Sequence, residues 1–195
     1  MGYLFILLAL TCGITKGFCG KKTSGLIASF PDAMLFNAVR MLICIPIGLL
    51  FVLAYTGSAA SLAVDSPTLL ISAVSGISTS VFVVTWLAAV RTGAYMMVDI
   101  FPTLGVIVPV IACRIFFDEA VRWNQIAGIL LLTAAAYIMC TYNRTIGKSE
   151  LTLGSLLLLT VCGFSNGVTS FSQKWFQYQS TADVSVYNFY TYVIS

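Results

Sequence analysis

The sequence predicts an all-α membrane protein: a polytopic helical bundle of about six to seven spans, arranged as a five-helix inverted repeat followed by the beginning of a second copy. Three observations carry this expectation. Apolar residues make up 59% of the chain and charged residues 9%, against about 45–50% and about 25% in a soluble domain, so a water-exposed surface could not be built from it. The apolar stretches are long enough to cross a hydrocarbon core of roughly 30 Å, which takes about 20 helical residues, and none alternates with the period of two that a barrel strand shows. Third, CGITKG at 12–17 returns as CGFSNG at 162–167. Five membrane-length segments lead from the first copy to the second, and an odd number brings the second copy into the membrane from the opposite side.

The elements follow in order. The first span, 2–20, opens on MGYLFILLAL, which lacks the Lys or Arg of a signal-peptide n-region, and Ala9-Leu10-Thr11 is a poor cleavage site. Its likeness to an internal helix makes it a retained span. The second, 33–55, lies between Pro31 and Gly57, and the third, 68–90, between Pro67 and Arg91. The fourth, 94–116, starts after Gly93 and ends before Asp118; the fifth, 124–142, ends at Asn143. The sixth, 154–174, carries the second motif. A seventh begins near 184, where Asp183 and Asn188 correspond, with one inserted residue, to Asp32 and Asn37 of the second span. The residues from 184 to Ser195 are too few to span, so the sequence looks truncated. The domain division is 1–150 for the first five-helix repeat and 151–195 for the start of the second.

Several function classes are excluded on composition. The six cysteines are scattered through or beside the spans, no CxxC pair occurs and there is no histidine, which removes the usual zinc patterns and a disulfide framework. No metal and no cofactor are expected. A net charge of +3 without a basic run gives no nucleic-acid groove. There is no phosphate-cradling glycine loop, no Ser/His/Asp set and no paired-carboxylate site, since Asp118 and Glu119 are adjacent and point apart on any helix. The chain does not read as an enzyme.

At this point the residues carry a resemblance. LALTCGITKG, Arg40 in FNAVRMLI, and the stretch from Thr85 to Met139, with Pro102, Glu119 and Gly128 in their characteristic places, together resemble the ten-helix family of the drug/metabolite transporter superfamily, built from two five-helix EamA-type repeats. The resemblance covers nearly the whole chain. It departs from the pattern at Cys12, which replaces an aromatic residue, and at Asp99, which stands where small or apolar residues are usual. It implies a secondary transporter of small organic metabolites or drugs working by alternating access, multi-pass in the plasma membrane. Its expected partners are the lipid bilayer, a small-molecule solute, a coupling proton or sodium ion, and a second copy of the chain. Two other readings stand beside it: a non-transporting membrane scaffold that uses the same glycine faces to hold a partner, and a half-size carrier active only as a dimer.

The candidate residues fall into three groups. Gly13 and Gly17, like Gly163 and Gly167, form GxxxG pairs that let helices approach closely, and Pro102 joins them as a packing position. Thr15, Lys16, Ser165 and Asn166 fill the same glycine-flanked turns, and inverted repeats place substrate sites near the midplane at the repeat interface. Trp86, at helical spacing from Ser72, Ser75, Gly76 and Thr79, offers a ring to stack on a solute or to sit in the interfacial aromatic belt. The substrate-binding set is therefore Thr15, Lys16, Trp86, Asp99, Ser165 and Asn166. Arg40 and Asp99 lie at roughly 10 and 8 Å below one membrane face, counting 1.5 Å per residue, and so are expected to neutralise one another as an intramembrane pair. Orientation is contested: Lys16, Lys21, Lys22, Arg91, Arg144 and Lys148 belong to one side, which the positive-inside rule makes cytoplasmic, whereas the family resemblance implies the reverse.

Overall fold

The computed structural model describes residues 2–27, 29–91, 95–146 and 153–195; the side chains of Lys16, Lys21, Arg91, Asp99 and Arg144 lie outside the described set. The protein is all-helical, 88% helix, with no strand among the described residues. Its helices are α1 (Gly2–Ser24), α2 (Phe30–Thr56), α3 (Ser66–Arg91), α4 (Tyr95–Leu104), α5 (Ile107–Phe117), α6 (Trp123–Ile146), α7 (Leu153–Gln179) and α8 (Val184–Ile194). Five stretches are long and apolar enough to cross a membrane: Phe30–Thr56, Ser66–Val90, Ile100–Phe117, Trp123–Thr141 and Leu153–Gln179. α1 carries a shorter apolar run, Ile6–Gly20. Large apolar side chains face outward along these helices, Leu35, Leu42 and Leu50 on α2 among them. Such continuous apolar surface is foreign to a soluble monomer and suits lipid.

Local chemistry sets the helix ends. Ser29 and Asp32 close a capping box at the start of α2: the Ser29 amide donates to Asp32 Oδ2 at 2.7 Å and the Asp32 amide to Ser29 Oγ at 3.4 Å. This satisfies two of the donors that every helix N-terminus leaves free. Gly57, at φ 68°, ends the helix in the left-handed region that glycine tolerates. Asp183 caps α8, accepting from the Ser185 amide at 2.8 Å. The two acids matched across the repeats thus both cap, Asp32 from inside its helix and Asp183 from the residue before.

The fourth predicted span is two helices rather than one, broken at Gly105-Val106. Prolines cause the break. Pro109 has no amide to donate back to the Gly105 carbonyl, which accepts from Val108 at 3.0 Å instead, while the Gly105 amide is shared between the carbonyls of Phe101 and Pro102 at 3.2 and 3.1 Å.

α7 organises the bundle. It runs antiparallel to α3, with Thr68 against Ser180 at 2.7 Å, Thr79 against Thr169 at 3.5 Å and the Cys162 thiol toward the Phe82 carbonyl at 3.9 Å. It runs parallel to α4 and α5, Gly163 lying on Phe101 and Gly167 on Gly105 and Val108. α8 fits between α3 and α2, parallel to the first through the Tyr187 hydroxyl on Ser75 Oγ at 2.7 Å, and antiparallel to the second through Gly48 against Phe189 and Tyr192 and Asn37 Nδ2 donating to the Ser195 carbonyl at 3.4 Å. α1 touches the later half of α3, with Gly20 against the Trp86 ring.

Candidate functional site

A cavity of about 460 Å³ opens between α1, α3, the α4–α5 break and α7. Gly13 and Gly17 form its α1 wall, Phe82 and Trp86 its α3 wall, and Asn166 and Ser170 its α7 wall, with Pro102, Thr103 and Val106 of the broken span between them. Each wall has a local cause. The two glycines leave α1 without side chains there, and a Cβ at either would meet nothing within 4 Å. Asn166 and Ser170 sit one turn apart on the same face of α7. The Asn166 carboxamide is fixed by Nδ2 donating to the Pro102 carbonyl at 2.9 Å, and the Ser170 hydroxyl donates to the Asn166 carbonyl at 3.0 Å. The volume suits a small organic molecule, and the mix of aromatic wall and few polar groups is that of an ordinary ligand pocket.

Of the six residues expected to bind solute, Trp86 and Asn166 line this cavity. Ser165 does not. It is 6% exposed and belongs by helical spacing to the Cys162 and Thr169 stripe that faces α3. Thr15 is exposed, and its hydroxyl donates back to the Thr11 carbonyl at 2.8 Å. The side chains of Lys16 and Asp99 lie outside the described residues, and with Asp99 the expected Arg40 pair does too. Arg40 itself sits beside Cys44 and Tyr192, and its Nε is buried without a hydrogen-bond partner.

The glycine expectation divides between the two copies. Gly163 and Gly167 lie against backbone of the broken span, where a Cβ would strike the Phe101 and Gly105 carbonyls. At Gly13 and Gly17 a Cβ would meet nothing within 4 Å, and both line the cavity. Pro102 also lines the cavity, and its backbone passes Gly163, where a Cβ would lie 3.8 Å from the Pro102 nitrogen.

Sequence reasoning missed Phe82, Thr103 and Ser170, and did not assign Gly105. Phe82 and Ser170 each stand four residues from a nominated position, which was signal enough. Nor did it pair Glu119 with Lys174, which form an ion pair at 3.1 Å. Among the described residues no three His, Cys, Asp or Glu side chains converge as a metal-binding group. Compared with known proteins, the chain matches no family model, no curated protein and no solved structure.

Proposed function

We propose that this protein is a multi-pass carrier of the plasma membrane that moves a small organic solute by alternating access, built on inverted five-helix repeats of the drug/metabolite type. One observation supports this most directly: two copies of one glycine motif line a single cavity, Gly13 and Gly17 on one wall and Asn166 on another. Secondary transporters bind solute where inverted repeats meet, beside discontinuous helices, and the break at Gly105-Val106 borders the cavity. The solute stacks on Trp86 and Phe82 and is oriented by Asn166, Ser170 and Thr103. Because α1 touches the bundle chiefly through α3, it can shift to change access without unpacking α7.

The test is uptake into proteoliposomes containing the purified protein, across a panel of amino acids, organic anions, organic cations, sugars and nucleosides. Saturable uptake of at least one class, lowered about tenfold or more by Asn166→Ala at matched reconstitution, is the expected result. Absence of saturable uptake and of saturable binding for every class would remove the carrier reading.

A further inference from the structure

At the other end of the broken span lies a second, smaller cavity of about 180 Å³, walled by Val106, Pro109, Val110 and Cys113 of the broken span and roofed by Glu119 and Lys174. Val106, at the helix break, borders this cavity and the 460 Å³ one alike. Lys174 Nζ donates to both Glu119 carboxylate oxygens at 3.1 Å, and this bond joins the α5–α6 loop of the first repeat to α7 of the second. Beside it Phe117 stacks on Tyr178 at 4.3 Å and packs on Phe171 at 6.0 Å, which closes the same end with aromatic rings. Glu119 and Lys174 are 37% and 44% exposed, so water reaches the pair from outside while Cys113 beneath it is only 5% exposed.

We propose that Glu119 and Lys174 form the gate at one end of the solute path, that the small cavity is the vestibule behind it, and that Val106 is the partition between vestibule and binding cavity. The assignment rests on the carrier reading. With the ion pair and the aromatic stack closed, Cys113 is shielded and the larger cavity is reached past the open glycine face of α1. Parting α5 from α7 breaks the pair and lets the vestibule communicate with the outside. A half-exposed pair suits that duty, because it is weak enough to open in a conformational cycle.

Cys113 is a native reporter of this opening. Its modification by a membrane-impermeant maleimide, followed peptide by peptide by mass spectrometry, should speed up about two- to fivefold in Glu119→Gln and in Lys174→Gln, the range such a pair carries. The exchanged pair, Glu119→Lys with Lys174→Glu, should return the rate to that of the wild type. A gate also demands reciprocity, so a cysteine introduced as Gly17→Cys at the open α1 wall should be labelled more slowly in the single variants. Unchanged Cys113 rates, failure of the exchanged pair to restore protection, or faster Cys113 labelling without slower labelling at position 17 would each overturn the gate. None of these readings needs a transported solute. A reciprocal shift in a protein that carries nothing in vesicles would keep the gate and remove the carrier, and uptake with no shift would do the opposite.

Discussion

Asn166 donates its side-chain amide to the Pro102 carbonyl at 2.9 Å, tying the second copy of the glycine motif to the span that the prolines break. The Pro102 carbonyl also accepts from the Gly105 amide, so removing Asn166 leaves it satisfied. Asn166→Leu should therefore cost about 1 kcal/mol of stability or less, seen as a shift of a few degrees at most in a detergent thermal melt. A loss of folded protein would show instead that this bond holds the break in place.

Gly163 and Gly13 should respond oppositely to the same substitution. Gly163→Leu drives a side chain into the Phe101 backbone, and overpacking of this kind costs about 1–3 kcal/mol or more. Gly13→Leu enters open space and should leave folded yield in detergent unchanged while filling the cavity. Equal losses of yield would mean that α1 packs as tightly as α7.

Asp183 provides a pH dependence. Its carboxylate accepts from the hydroxyl and the amide of Ser185, which holds its pKa below the ordinary carboxylate value. A depressed carboxylate stabilises the folded state fully above its unfolded value, near 3.8, and that contribution disappears as pH falls through the lower folded value. Asp183→Ala should lower stability by about 1 kcal/mol near neutrality. The gap between wild type and variant should narrow only in strongly acidic buffer, as followed by thermal melts from pH 7 down to pH about 2.5. A gap that narrows well above the ordinary carboxylate range would assign the effect to another group.

Arg40 points to a substitution that should be tolerated. α2 packs mainly on α8 and α3, and the Arg40 Nε lacks a hydrogen-bond partner. Burying a charge costs stability unless it is paired and hydrogen-bonded, so Arg40→Met, measured alone and together with Asp99→Asn, should change stability by no more than about 1 kcal/mol. A coupling above about 1 kcal/mol in the double-mutant cycle would establish the Arg40–Asp99 pair.

What the sequence made legible was periodic or repeated. Long apolar runs announced the helices, and the recurrence of CGxxxG singled out α1 and α7, whose Gly13, Gly17 and Asn166 line one cavity. What it hid depended on facing. Ser165 and Asn166 are neighbours in the chain, yet a helix turns about 100° per residue, and that rotation sends one toward α3 and the other into the cavity. Gly13 and Gly163 share a motif but not a neighbour, and no local pattern states which helix stands close. The break at Gly105-Val106 was foreseeable from Pro109, whose missing amide leaves the Gly105 carbonyl without its helical donor.

α7 touches α3, α4 and α5, and this has a consequence for the order of assembly. The partners that bond to it, such as Phe82 with Cys162 and Thr68 with Ser180, are separated by 80 and 112 residues. During synthesis α3, α4 and α5 are therefore made before the helix that will join them exists. The small and hydroxyl-bearing faces of α3 and the glycine-bearing face of the broken span must wait, screened by transient neighbours, until α7 arrives to close them together.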